Sequence, residues 1–396
     1  MSHIAIYFSE SDNKNQLLDD LLDSKYLKEL EGLQHKKVVI FSSYTLMKFL
    51  NEEHIRDSID MIPKGERKLS TYSEGEQKKK LFYYLLSLQP ECLVIDNVLD
   101  NLDVKVREEF VQHINSIKDT VSILQLFTKQ EEVLSFITTS YSFHQGGLVP
   151  YTYSKKEIKS QTVQVPQPLK KLVLQSIPLV QFKDVVVQYE DRIVQPNVTW
   201  TVNSGEFWLL KGPNGSGKTS LLTMIIGDNP KAFGQDITLF GKKKGSGESV
   251  WEIKQKIGYF TKSMILYYSG SHTVEEIIIS GFLDTVGLYD KPTSHHKSVA
   301  MEWLKCIGLE NEKDTPFRFL TNAQKQILLV TRALVKHPAL IILDEPTVGL
   351  NDEQASLVTA LINTFAEQKN SAIIYVSHRI DPGLNPRFIY ELKRDG

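Results

Sequence analysis

Short unbroken apolar runs and one-faced helical repeats alternate along this chain, and their order predicts its architecture. IAIYF near the start reads as a buried strand, and NQLLDDLLDSKYLKELEGL carries apolar residues at helical spacing before KKVVIFSS supplies a second apolar run. Strand, helix, strand predicts a parallel α/β sheet. After Leu69 the stretch STYSEGEQKKKLFYYLLSL is a polar, glycine-containing turn that opens a helix, and Pro90 separates it from the strand-like CLVIDN. A helix over Val104 to Ile117 and a strand over Thr120 to Phe127 continue the alternation. From about Gly147 to Ser176 the periodicity fades into GG, three prolines and scattered Lys, Gln and Thr, the composition of a linker. The expected division is a first domain over residues 1–146, a linker over 147–176 and a second domain over 177–396.

The second half opens on VQFKDVVVQYED, whose alternation suits an edge or antiparallel strand, followed by WTVNSGEFWLL. ITLFGKKKGSGESVWEIKQKIGYF reads as strand, turn, helix and strand, and Thr273 to Leu283 begins a mostly helical stretch that lasts to about Leu309. The pattern of the first half then returns. RFLTNAQKQILLVTRALVKHPALIILDEPTVGLND matches KLSTYSEGEQKKKLFYYLLSLQPECLVIDNVLDNLD in order and type, and Thr321 to Asp344 (344 − 321) spans the same 23 residues as Ser73 to Asp96 (96 − 73). An internal repeat is the economical reading, which implies a tandem, pseudo-symmetric protein.

Composition adjusts this picture in three places. A chain of 396 residues exceeds one ordinary core, in agreement with two domains. Net charge of −2 and a pI near 6.6 give no basic field for nucleic acid in bulk. The two cysteines, Cys92 and Cys306, have neither metal nor disulfide spacing, as in a reducing compartment. MSHIAIYFSESD lacks the charged-then-apolar pattern of a signal peptide and no window approaches 18 consecutive apolar residues, so a cytoplasmic protein is expected, attached to a membrane only through a partner.

The densest chemistry lies in Leu209 to Leu222, LLKGPNGSGKTSLL. The pattern G-x-x-x-x-G-K-[ST] is filled by Gly212, Gly217, Lys218 and Thr219, between the strand-like FWLL and the helix-like SLLTMII. Gly212, Gly215 and Gly217 let backbone N–H groups converge on phosphate oxygens, and a helix starting near Lys218 aims its positive end at the same anion. Pro213, Asn214, Ser216 and Ser220 complete the expected phosphate-binding segment. Lys218 is expected to reach the β and γ phosphates, and the Thr219 hydroxyl to hold Mg²⁺. A glycine-rich turn that binds nothing is the bland alternative, and four required residue types at fixed spacing in this context rarely coincide by chance.

At these residues the chain resembles the ATP-binding cassette ATPases, whose P-loop NTPase fold is an α/β one: a parallel sheet with flanking helices plus antiparallel β and helical subdomains. The resemblance implies that the strand from Leu340 delivers Asp344 to the shell of Mg²⁺ and Glu345 to the attacking water. It places a D-loop at Val348 to Asn351, a switch histidine at His378 after AIIYVS, and adenine stacking at Tyr189. ATP and Mg²⁺ are the implied cofactors. GKKKGSGESVWEIKQKIGYF and SGFLDTVGLYD are similar to a branch of tandem, membrane-free cassettes named ModF or photorepair protein PhrA, associated by name with molybdate transport. That likeness covers most of residues 180–396 but only about 69–130 of the first half. Implied partners are a membrane permease or a second copy of the chain, with no nucleic acid and no direct membrane insertion.

The departures from the family pattern are informative. Lys262, in IGYFTKS, stands where most cassettes place a Gln that senses Mg²⁺ and a membrane partner. The signature Leu-Ser-Gly-Gly-Gln reads LTNAQ at Leu320 to Gln324, without its glycines, whereas YSEGE at Tyr72 to Glu76 keeps Ser73 and Gly75. FSESDNKNQLL at Phe8 to Leu18 aligns without gaps on GPNGSGKTSLL, 204 residues later (218 − 14), as a decayed P-loop or by chance; without a glycine it cannot wrap phosphate. Asn97 replaces the water-activating Glu, and Lys129 sits one residue from the counterpart of His378. The expectation is one catalytic ATP between Lys218, Asp344, Glu345 and His378 of the second half and Ser73, Gly75 and Glu76 of the first, within one chain or between chains exchanging halves. The alternative is an ATP-binding regulatory or scaffold protein with little turnover. A translation-type tandem cassette would carry two intact P-loops and a long charged connector, and this chain has neither.

Overall fold

The computed structural model describes residues 1–396 other than 9–13, 23–29, 31, 57, 64, 97, 99–103, 130–131, 145–146, 153–162, 170–177, 190–191, 269–270, 286–290, 379 and 394–396. The chain forms two compact units, one of Met1–Lys156 with Gly349–Asp352 and one of Glu157–Val348 with Glu353–Gly396.

The first unit contains β1 (His3–Phe8), α1 (Lys14–Leu22), β2 (Val38–Ser42), α2 (Ser43–Arg56), α3 (Glu74–Ser87), β3 (Cys92–Asp96), α4 (Val104–Ile117), β4 (Ser122–Phe127), β5 (Thr139–His144) and β6 (Gly147–Pro150). Its sheet has the order β2-β3-β4-β1-β5-β6, with only β6 antiparallel to its neighbour. Both faces are covered: Ala5, Leu93 and Ile123 pack with Phe82 and Phe110, while Ile4, Val94 and Leu124 pack with Leu17 and Leu18. Two-sided burial explains why CLVID and SILQLF are near-continuous apolar runs rather than alternating ones. The one polar residue inside β4, Gln125, is satisfied by Glu132 O at 2.7 Å and by the N–H of Leu134 at 2.9 Å.

One expectation is corrected here, and one element was not foreseen. The linker does not begin at Gly147, because Gly147–Pro150 pairs with β5 and Tyr151 stacks on Tyr7 at 5.1 Å between ring centroids. Pro150 is tolerated there because β6 is an edge strand. Helix α2 was not anticipated: Leu46, Phe49 and Leu50 pack on the core at helical spacing, but exposed Met47 and Ile55 and a buried carboxylate, Glu53, on the core-facing side blur the stripe.

The second unit contains β7 (Pro178–Tyr189), β8 (Arg192–Asn203), β9 (Phe207–Lys211), α5 (Lys218–Ile226), β10 (Asp236–Leu239), β11 (Lys242–Lys243), α6 (Val250–Gln255), β12 (Ile257–Thr261), α7 (Met264–Tyr267), α8 (Val274–Leu283), α9 (Ser294–Cys306), α10 (Asn322–Leu334), β13 (Leu340–Asp344), α11 (Asp352–Gln368), β14 (Ala372–Val376) and β15 (Phe388–Glu391). Antiparallel strands β11-β10-β7-β8 form one sheet and parallel strands β12-β13-β14-β9-β15 another. This is the α/β P-loop architecture with antiparallel and helical additions. WTVNSGEFWLL divides between β8 and β9 at Gly205, whose φ of 75° makes the turn. Part of the expected linker also belongs to this unit: Thr364 donates to Val163 O at 3.3 Å, and His337 Nε2 lies 2.9 Å from Pro166 O.

The two parallel sheets share one strand order, since β2-β3-β4-β1-β5 repeats as β12-β13-β14-β9-β15. Register agrees as well. Ile6 and Asp96 both pair with Leu126, as Leu210 and Asp344 both pair with Val376. Ile6 precedes Leu210 by 204 residues (210 − 6), and α1 and α5 start at Lys14 and Lys218, again 204 apart (218 − 14). Of the counterpart loop, Ser9–Asn13 lie outside the described residues, as does Asn97.

Candidate nucleotide site

The phosphate-binding candidate lies where β9 gives way to α5. Helix α5 is anchored by Leu221, Leu222, Met224 and Ile225, all fully buried, so its first turn is a fixed platform. A Cβ on Gly212 would lie 2.8 Å from Leu392 O, and Gly217 caps the helix at φ 92° with Val187 Cγ1 3.2 Å from where a Cβ would sit. Both positions therefore exclude side chains. Lys218 Nζ donates to Gly212 O at 2.6 Å and to Pro213 O at 2.9 Å, which holds the ammonium against the loop. The Ser216 hydroxyl is wholly buried and makes no hydrogen bond among the described residues. Asn214, Gly215 and Thr219 are exposed and Ser220 is buried. A buried cation, an unsatisfied hydroxyl and a helix N-terminus converging on a glycine-rich turn fit a polyphosphate. The side chain of Tyr189, at the end of β7, lies outside the described ones.

Asp344 and Glu345 are delivered by β13, a central strand whose pairing with β12 and β14 fixes the height at which it ends. Burial pushes the Asp344 carboxyl up to about 6; neighbouring Glu345 adds to this, and Lys218 with a hydrogen bond from Thr261 works against it. Glu345 is held in the opposite direction. Its burial acts to raise it, but a hydrogen bond and charge from His378, with Lys218 and Lys262 adding, leave its carboxyl below the ordinary range. His378 Nε2 lies 2.9 Å from Glu345 Oε1. Glu345 has φ 51°, the left-handed region, and its N–H donates to Val376 O at 3.0 Å. Two adjacent carboxyls are thus driven apart in acidity.

Three residues in this region carried no sequence expectation. Gln326 Nε2 donates to Pro346 O at 2.8 Å and Val348 O at 3.1 Å. Thr347 donates to Asp381 Oδ2 at 2.7 Å, and the Tyr375 hydroxyl donates to the same oxygen. Gln326 was detectable in principle, as a polar residue on the apolar stripe of Ala323, Ile327 and Val330 in α10. Thr347 and Asp381 sit in irregular segments, where no periodicity marks a buried polar group.

The signature-like turns repeat as local structure. Ser73 and Thr321 each begin a helix with a reciprocal capping box, closed by Glu76 and Gln324. Glu76 Oε2 accepts from Ser73 N at 2.8 Å and Ser73 Oγ at 2.9 Å, and Arg67 pairs with Glu76 Oε1 at 3.2 Å. Ser73 and Glu76 are exposed. A Cβ on Gly75 would meet nothing closer than Val106 Cγ1 at 4.0 Å, so packing within the first unit does not require glycine there.

Comparison with known proteins gives this geometry its family. Residues 196–348 match the ABC transporter family model. The chain is 32% identical to ABC transporter ATP-binding protein ModF of Escherichia coli over 335 residues, 80% of this chain and 68% of that protein. The chain belongs to the ABC transporter ATP-binding family. It is also 26% identical to an uncharacterised ABC transporter ATP-binding protein of Schizosaccharomyces pombe, over 83% of this chain and 70% of that one. The zinc uptake system ATP-binding protein ZurA of Listeria innocua is 30% identical over 50% of this chain and 76% of its own length. The first two alignments span both halves of this ABC protein, the third only about half of it. As a family member it is an ATP-binding ATPase, and among the described residues no helix is long and apolar enough to cross a membrane.

Proposed function

We propose that this ABC ATPase hydrolyses Mg-ATP at one composite site. The observation that carries the reading is the 2.9 Å pair of His378 and Glu345, beside Asp344 at the end of β13 and with Lys218 in electrostatic contact. Gly212, Pro213, Asn214, Gly215, Ser216, Gly217 and Ser220 would wrap the phosphates with backbone N–H groups and hydroxyls, Lys218 would neutralise the β and γ phosphates, and Tyr189 would stack on the base. Thr219 and Asp344 would hold Mg²⁺. Among the described residues no three His, Cys, Asp or Glu side chains converge on a metal cage, as suits an ion that takes one or two protein oxygens and completes its shell with phosphate and water. When bound, that ion would polarise the transferring phosphoryl group. Glu345, oriented by His378, aligns the attacking water and accepts its proton, so positioning supplies most of the acceleration.

Ser73, Gly75 and Glu76 would supply the opposing turn, within one chain or from a second copy. Support comes from the glycine at position 75, which the first unit's own packing does not need, and from Ala323, its buried counterpart in LTNAQ. Glu345→Gln tests the reading: ATP affinity should persist, phosphate release should stop, and calorimetric titration should give a stoichiometry near one. Turnover at the parent rate would refute the role of Glu345, and two bound ATP per chain would refute the single site.

We further propose that hydrolysis drives a transport system through a membrane permease, a reading supported by the likeness to ModF, with a molybdate-like oxyanion as its cargo through the branch resemblance. Expressed alone, the protein should be recovered in the cytoplasmic fraction. A carbonate-resistant membrane pool in the absence of partners would overturn this.

A further inference from the structure

Two loops leave neighbouring strands of the same sheet edge, Glu345 onward from β13 and Ser377 onward from β14, with Asp344 and Val376 in register beneath them. Parallel strands stop supplying ladder bonds where the sheet ends, yet these loops remain tied. Glu345 N–H reaches Val376 O, Glu345 Oε1 meets His378 Nε2, and further out Thr347 Oγ1 donates to Asp381 Oδ2 at 2.7 Å. The Tyr375 hydroxyl rises from β14, donates to that same carboxylate oxygen and lies 3.2 Å from Thr347 Oγ1. Tyr375, Thr347 and Asp381 are all buried.

We propose that Asp381 is a positioning residue that fixes the distance between Glu345 and His378. Thr347 is two residues beyond Glu345 and Asp381 three beyond His378, so a bond between them sets the spacing of the two loop tips as a tie sets the span of two rafters. One carboxylate oxygen taking two hydroxyl donors in a buried place makes a short, directional junction, stronger than a neutral bond between the same segments. Gln326 fixes the carbonyls of Pro346 and Val348 from the side of α10 and so steadies the Glu345 loop. Asp381 is what joins that loop to the one carrying His378. A non-glycine residue at φ 51° needs such restraint, because the left-handed conformation persists only where its surroundings over-determine it.

The inference rests on Glu345 being the catalytic carboxylate, and the experiment separates the two ideas. Steady-state ATPase kinetics would be measured for Asp381→Ala, Asp381→Asn, Thr347→Val and Thr347→Ser, each alone and combined with His378→Ala, with Glu345→Gln in the same series. A misplacement of about 1 Å costs on the order of 100-fold, so Asp381→Ala should lower kcat by roughly 10- to 100-fold while KM for ATP stays within about twofold. Asn, whose carbonyl oxygen can still accept, should restore much of the loss, and Thr347→Ser should outperform Thr347→Val. With His378 already removed, the Asp381→Ala penalty should shrink to under about twofold, because the distance it sets no longer matters. A merely structural carboxylate would instead impose the same factor in both backgrounds, and that outcome would overturn the proposal. Parent-like kcat in Asp381→Ala would do the same. Should Asp381→Ala not fold, the Thr347 pair with and without His378→Ala decides by the same comparison. A fast Glu345→Gln would sink the catalytic reading itself, whereas a slow one beside an unaffected Asp381→Ala would sink only the tie.

Discussion

The carboxyl ends of β9 and β1 occupy the same place in two sheets of one strand order, and the sequence that follows one is rich in glycine while the sequence that follows the other has none. After β9 come Gly212, Gly215, Gly217 and Lys218; after β1 comes FSESDNK, with Lys14 in the position of Lys218 and no glycine. The sheet forms without glycines at that edge because its stability lies in the packing of buried residues such as Ile4, Ile6, Val94 and Leu124. Fold and chemistry are therefore separable within a single chain: a strand order survives on buried apolar residues alone, and nucleotide binding depends on a few backbone conformations at one edge.

The sharpest way to break the comparison is to exchange the lysines' fates. Lys218→Ala should abolish ATP binding and hydrolysis, whereas Lys14→Ala should leave both unchanged in a nucleotide-binding titration and a phosphate-release assay. A loss from Lys14→Ala would show that the first unit binds phosphate after all. The two signature-like turns give the next largest contrast. If the proposed composite site holds, Ser73→Arg should reduce hydrolysis by at least 10-fold, because a guanidinium would then compete for the space of the γ-phosphate, and Thr321→Arg should stay within about twofold of the parent. The reverse ranking would relocate the site.

A smaller effect concerns stability. Asp344 has its carboxyl raised to about 6 by burial, so the folded state binds this proton more tightly than the unfolded state does. Stability from this group is therefore present below the ordinary carboxylate range and falls as pH rises toward about 6. Asp344→Asn should make the nucleotide-free protein more stable than the parent at pH 7, by on the order of 1–3 kcal/mol, with the difference vanishing near pH 4. Denaturant melts of the parent and of Asp344→Asn across that range measure it.

Much of this was legible in the residues because each piece had a local cause. CLVID, LIILD and AIIYV announce central strands through two-sided burial, and the Ser73 and Thr321 capping boxes announce helix starts at matching positions. The loop from Gly212 to Lys218 was legible because backbone approach to phosphate restricts residue type as well as spacing. Helix α2 was not, since its apolar residues are shared between core and solvent. The strand β6 hid behind Gly147 and Pro150, which are punctuation in most contexts and harmless at a sheet edge. Asp381 could not be found at all from spacing, because its partners Thr347 and Tyr375 lie 34 and 6 residues away and meet it only through the parallel pairing of β13 and β14.

Glu345 carries a consequence for the history of such proteins. A carboxylate side chain held at φ 51° retains about 1 kcal/mol of backbone strain that glycine would not. Selection for heat resistance and selection for turnover accordingly pull position 345 in opposite directions. On the role proposed for Glu345, lineages that keep the fold but cease to hydrolyse ATP should drift there toward Gly or Asn.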